Sequence, residues 1–188
     1  MLFRSALANG ARSVRVASDP TQRALLWKGR KSAFGAIARV APDYYLHDAV
    51  VPRSRLVDVL RSVYDIAAQH DLTVMNVFHA GDGNLHPLIV FDRRTPGVWE
   101  RVHAAGTAIL ETCIAAGGVL SGEHGVGLEK RDLMPLQFSP TDLEFQGRLA
   151  DALDPNGLAN PQKVLPQGSR CGDVRGLAGR DLPEGTWI

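Results

Sequence analysis

Residues 72–92, LTVMNVFHAGDGNLHPLIVFD, constrain the fold of this chain more than any other stretch. Two runs rich in β-branched and aromatic residues flank Gly81-Asp82-Gly83-Asn84, a segment poor at forming helix or strand. The glycines exclude a continuous helix, so His79 and His86 do not share a helical face. A loop in which Gly81 and Gly83 take positive φ folds the chain back on itself. The expectation is two strands joined by a tight turn, with both imidazoles at the rim of a sheet.

The rest of the chain supplies the partners for that hairpin. Asp19-Pro20 is a helix start, a capping acid followed by proline at the first helical position. The helix is expected to run through TQRALLWKGRKSAFGAIAR, with Gly29 and Gly35 as weak points. DYYLHDAVVP reads as a strand closed by Pro52. Ser54 opens a second helix whose Leu56, Val59, Leu60, Val63, Ile66 and Ala67 form one apolar stripe. A third helix covers about 97–116 and stops at Gly117-Gly118. GVLSGEHGVG follows as a strand ending in a loop. Ser139-Pro140 caps a last helix with Asp142 in the capping-box position, and DPNGLANPQKVLP beyond it is turn-rich. This order predicts an α+β domain: a mainly antiparallel sheet with helices on one face, of ferredoxin-like character, plus a C-terminal helical segment. Residues 1–166 form the folded part, and 167–188 are expected to be a poorly ordered tail.

At the N-terminus, MLFRSALANGARSVRVAS carries three arginines and three serines and no acid before Asp19, which also fits a mitochondrial transit peptide. Because the pattern runs on without a linker, the reading adopted is a helix end followed by a strand, SVRVA, leading into the next helix. The formal net charge of +1 offers no electrostatic case for nucleic acid. No apolar run reaches the length of about 18 residues that a membrane span needs. Two cysteines, Cys113 and Cys171, make neither a disulfide framework nor a metal motif and fit a reducing compartment.

The chemistry-bearing residues cluster at two glycine-flanked positions. Neutral imidazole is the commonest transition-metal ligand, and two converging imidazoles call for a carboxylate to complete three protein positions. Glu123, in SGEHGVG, is the candidate, with His79 and His86 as the other ligands. Two histidines and one carboxylate leave coordination positions open, a catalytic arrangement that zinc, manganese or ferrous iron accepts. His124 beside Glu123 is placed to act as a general base. His47, His70 and His103 lie on regular elements and are read as ordinary surface or core residues. GEHGVG is a poor dinucleotide fingerprint, since no separate βαβ unit surrounds it. In the cluster WKGRK, Arg30 is either part of a solvated face or a bidentate clamp on a substrate carboxylate.

LWKGRKSAFGAIARVAPDYYLHDAVVPRSRL, NVFHAGDGNLHPLIVFD, SGEHGVGLEKRDLMPLQFSP and DPNGLANPQKVLP together resemble the C-terminal half of FAD-linked 2-hydroxyacid oxidoreductases. That group includes glycolate oxidase flavoprotein subunits and D-lactate and D-2-hydroxyglutarate dehydrogenases. The resemblance runs from about residue 11 to 166. It implies the substrate-binding cap of a flavoenzyme of the vanillyl-alcohol-oxidase type, with His79, His86 and Glu123 as metal ligands and His124 as the catalytic histidine. It also implies that Arg30 binds the substrate carboxylate and that Asn160, in Asn160-Pro161-Gln162-Lys163, lies near the flavin; glutamine stands here where glycine is common. FAD is bound mainly by an N-terminal domain that residues 1–10 are too short to supply, so the expectation is either a fragment of a split or truncated gene or an FAD domain on a separate chain, with that chain or other oxidase subunits as partners. The implied reaction oxidises a small 2-hydroxy acid to the 2-oxo acid, with hydride passing to the flavin and the hydroxyl proton to His124. The implied location is cytoplasmic, with peripheral attachment to the inner membrane as an alternative and a mitochondrial location ranked below both. Two other functions compete: a truncated, inactive metal-binding module that docks on a partner flavoprotein, and a metal-dependent hydrolase that needs no flavin.

Overall fold

The computed structural model describes residues 2–166, so the tail expected at 167–188 lies outside the described residues. The chain divides into two compact units, one ending at Asp43 and one beginning at Tyr44.

The first unit is helical: α1 (Leu2–Ala8), α2 (Pro20–Lys31) and α3 (Ala33–Ile37). Asp19 caps α2 as its sequence requires, its carboxylate accepting from the Gln22 amide at 2.8 Å, with Pro20 opening the first turn. Two expectations fail in this unit. The helix does not run on to Arg39: it breaks at Ser32, between the two glycines, where ψ relaxes to −1°. SVRVA forms no strand. A short alternating run becomes a strand only where a neighbour supplies the ladder of hydrogen bonds, and Val16 is left largely exposed.

The second unit holds the sheet. The hairpin pairs β3 (Thr73–His79) with β4 (Asn84–Phe91) in antiparallel register from Thr73↔Val90 to His79↔Asn84. Along the other side of β4 runs an extended segment in two pieces, β1 (Asp43–Leu46) and β2 (Ala49–Val50), with Ala49 opposite Leu85 and Val50 opposite Asn84. Between the pieces the His47 amide still donates to the Pro87 carbonyl at 3.0 Å. β4 is therefore central and buried along its whole length.

Two helices cover one face of this sheet: α4 (Leu56–Gln69), entered through a 3-10 turn at Arg53–Arg55, and α5 (Val98–Ala115). The α4 stripe is as expected, Val59, Val63 and Ala67 buried and Leu56, Leu60 and Ile66 packed at the margin. The core forms between these residues, Val102, Ile109, Leu110 and Cys113 of α5, and Ala49, Leu85, Ile89 and Phe91 of the sheet. Gly117, at φ +83°, closes α5 in the left-handed conformation, and the Gly118 amide returns to the Cys113 carbonyl at 2.9 Å. The strand expected after it shrinks to one antiparallel bridge, Val119 with Val50, and the remainder to Gly127 is loop. A 3-10 segment (Arg131–Leu136) leads to α6 (Pro140–Leu153), where Ser139 and Asp142 form the capping box in both directions. The α+β class and the antiparallel sheet hold.

Candidate metal and catalytic centre

Strand alternation decides which side chains meet. Leu85 and Ile89 of β4 point into the helical core, so Asn84 and His86 point to the opposite face. His79 pairs with Asn84 and so shares that face, diagonal to His86. The turn that brings β3 back to β4 is closed by the Asp82 amide donating to the His79 carbonyl at 3.0 Å. Only Gly83 of the two expected glycines takes positive φ, +73°, and a Cβ there would run into the Val51 carbonyl; Gly81 does not need the left-handed region. The two imidazole rings stand edge to face with centroids 5.5 Å apart.

The corner 121–125 carries Glu123 and His124 to the same place. Glu123 Oε1 lies 3.1 Å from His86 Nε2 and 3.8 Å from His79 Nε2. One ligand atom from each of His79, His86 and Glu123 fits within 4.8 Å of the others, the convergence expected of donors around a single cation. His124 stacks on His86, rings 15° from parallel and centroids 4.9 Å apart, with its Nε2 3.7 Å from Glu123 Oε1. His86 is buried, and its Nε2 makes no hydrogen bond despite the nearby carboxylate. A buried polar nitrogen left without a partner costs about 1–3 kcal/mol, which a metal ion accepting its lone pair removes. Burial and the neighbouring His124 hold the His86 imidazole below its ordinary pKa, and Asp48 and Glu123 oppose that shift. The neutral, ligating form is thereby favoured. The donor set thus fits a divalent transition metal.

Sequence reading missed two residues of this centre. Asp48, on the extended edge run, is almost wholly buried, and its Oδ2 accepts from Ser121 Oγ at 2.7 Å and from the amides of Gly122, Glu123 and His124 at 2.8, 3.0 and 3.0 Å. Burial alone would raise its pKa, but these hydrogen bonds and Lys130 hold the carboxyl well below the usual carboxylate range. Lys130, also buried, donates from Nζ to the Asp48 and Leu120 carbonyls at 2.5 and 2.9 Å and lies 3.8 Å from Asp48 Oδ2. Burial presses its pKa down against the pull of Asp48 and Glu129. The available signal was an acid inside the strand-like run LHDAVV, since a charge on a buried strand has to be paired. His47, read as ordinary, is buried and lines a separate cavity of about 200 Å³ with Tyr45, His103 and Glu129 on the helical side of the sheet.

The other predicted site residues lie elsewhere. Arg30 sits exposed in the last turn of α2, in the first unit, beside Lys28 and Lys31. Asn160 is on an exposed turn at φ +47°, its side chain accepting from Lys163 Nζ at 3.3 Å. Gln162 follows at φ +67°, which gives a physical reason for glycine to suit that position.

Residues 2–164 match the family model for the C-terminal domain of FAD linked oxidases. The chain belongs to this family. Among curated proteins it is similar to the glycolate oxidase subunit GlcD of Escherichia coli K12, 46% identical over 89% of this chain and 34% of the relative. The Bacillus subtilis glycolate oxidase subunit GlcD is 37% identical, over 84% of this chain and 34% of the relative. A probable mitochondrial D-lactate dehydrogenase of Danio rerio is 35% identical, over 84% and 32% respectively. The chain thus spans about a third of the length of these curated relatives. No helix among the described residues is long and apolar enough to cross a membrane.

Proposed function

We propose that this FAD-linked oxidase domain is the substrate-binding and catalytic cap part, over residues 1–166, of an oxidoreductase that converts a small 2-hydroxy acid of the glycolate or D-lactate type into the 2-oxo acid. The observation that carries the reading is the convergence of His79, His86 and Glu123 on one point, with His124 stacked alongside. Family membership supports the reaction class. FAD, held mainly by protein outside this domain with Asn160 near it, supplies the two-electron acceptor. A divalent cation on His79, His86 and Glu123, whether zinc, manganese or iron, lowers the pKa of a hydroxyl beside it. His124 takes the hydroxyl proton on Nε2, and the Glu123 carboxylate beside that atom stabilises the imidazolium that forms. Arg30 pairs with the substrate carboxylate. The assembly works in the cytoplasm.

Metal analysis and reconstitution test this. The chain should hold one divalent ion after exposure to zinc or manganese, and the double variant His79→Ala/His86→Ala should hold none. Oxidation of glycolate or D-lactate should appear only when a flavin-bearing partner is added, and His124→Ala should abolish it with the ion retained. Equal ion content in the double variant refutes the ligand set; turnover surviving in His124→Ala refutes the base.

A second reading, a metal-binding module without turnover that docks on a flavoprotein, draws on α6, where Phe145, Leu149 and Leu153 form an exposed apolar stripe at helical spacing. Flavoprotein binding without turnover in the mixture would favour it.

A further inference from the structure

We propose that Asp48 is the positioning residue of this centre: its carboxylate sets the Glu123–His124 corner against the hairpin histidines and supplies the buried negative charge that holds a divalent cation there. The inference rests on the metal reading above, but one of its observables does not need a metal. Four donors converge on Asp48 Oδ2, and three of them are the consecutive amides of Gly122, Glu123 and His124. Three successive amides aimed at one point form the concavity of a backbone nest, which suits an anion. The anion here is a side chain of the extended edge run, so the backbone positions of Glu123 and His124 are dictated by a residue 75 and 76 positions away in the chain. The Gly125 amide, donating to Ser121 Oγ at 2.8 Å, closes the wrap.

The register carries the other half of the argument. Ala49 opposite Leu85 puts Asp48 across from His86. Asp48 Oδ1 accordingly lies 3.5 Å from His86 Nε2, buried and without a hydrogen bond. One oxygen thus organises the corner, and the other places charge beside a ligand nitrogen. Lys130 fixes the Asp48 backbone from below through the Asp48 carbonyl. An asparagine has the same shape but one acceptor oxygen and no charge, so it cannot do both.

The test compares wild type, Asp48→Asn and Ser121→Ala in the 188-residue chain, by zinc competition titration and by residue-resolved amide hydrogen exchange. Asp48→Asn is expected to weaken zinc binding by about 10–100-fold, the range for residues that support metal ligands. It should also speed exchange at Gly122, Glu123 and His124 while the amides of α5 exchange as before. Ser121→Ala removes one donor and keeps the charge, so its loss of zinc affinity should be smaller. Unchanged zinc affinity in Asp48→Asn overturns the proposal. So does exchange that accelerates equally in α5, which would mark a merely structural role. If the wild type itself takes up no zinc, the metal reading fails, and the exchange pattern decides the positioning role: selective acceleration supports it, and its absence overturns it.

Discussion

Replacing Gly122 with alanine adds one methyl group at the most crowded point of the corner. A Cβ built there would stand 2.7 Å from Val50 Cγ2, 2.8 Å from Asp48 Oδ1 and 2.9 Å from Asn84 Nδ2, where ordinary contact begins at 3.4 Å. None of the three can easily retreat. Val50 is bridged to Val119, Asp48 is held by four donors, and Asn84 is buried at the start of the central strand. Gly122 is not in the left-handed region, so the penalty is steric rather than conformational. Overpacking of this kind costs about 1–3 kcal/mol. With a Tm shift of about 2–4 °C per kcal/mol for a chain of this size, Gly122→Ala should melt roughly 2–12 °C below wild type by circular dichroism. Two neighbours calibrate the result. Gly81 faces open space without positive φ, so Gly81→Ala should stay within about 0.5 kcal/mol of wild type. Gly125 also faces open space but holds φ +88°, so Gly125→Ala should cost about 1–2 kcal/mol through the backbone alone. A Gly122→Ala variant that melts with Gly81→Ala would refute the packing argument.

His47 should make the fold acid-sensitive. Burial, with Lys130 and His103 adding to it, pushes its imidazole down to about 3, while the unfolded chain titrates near about 6.5. As pH falls through that window the unfolded state gains a proton that the folded state refuses, so this stability is full above about 6.5, falls away through the window and is gone below about 3. Between pH 7 and 5 the loss should reach about 2 kcal/mol in urea unfolding, and His47→Gln should flatten that slope; an unchanged slope would refute the assignment. Gln162→Gly should relieve the left-handed strain at φ +67° by about 1 kcal/mol. The readout is the Val164 amide, which bonds the Gly127 carbonyl at 2.9 Å and should exchange about fivefold more slowly; exchange at the wild-type rate would count against strain there.

Local signals carried most of the fold. The caps at Asp19 and Ser139, the stripe on α4, the stop at Gly117 and the hairpin all depend on residues a few positions apart, and all formed as read. SVRVA had the same local signal for a strand and formed none, because a strand also needs a partner that its own residues do not provide. His79, His86 and Glu123 were legible as candidates because the two histidines bracket the Gly81-Asp82-Gly83 turn and Glu123 stands beside Gly122, each a metal-ligand type of residue at a glycine corner. Asp48 left only an acid in the strand-like run LHDAVV as a signal, and Lys130 left none, because the groups they bond lie on other segments of the chain.

The sequence by itself determined which segments could be strand or helix and which side chains could ligate or take a proton, since those properties belong to residues and their near neighbours. Only the tertiary structure decided that Asp48 faces His86 and gathers the amides of the Glu123 corner. That outcome depends on pairing register between distant strands, where a slip of one residue would turn Asp48 into the apolar core and leave the corner without its anion.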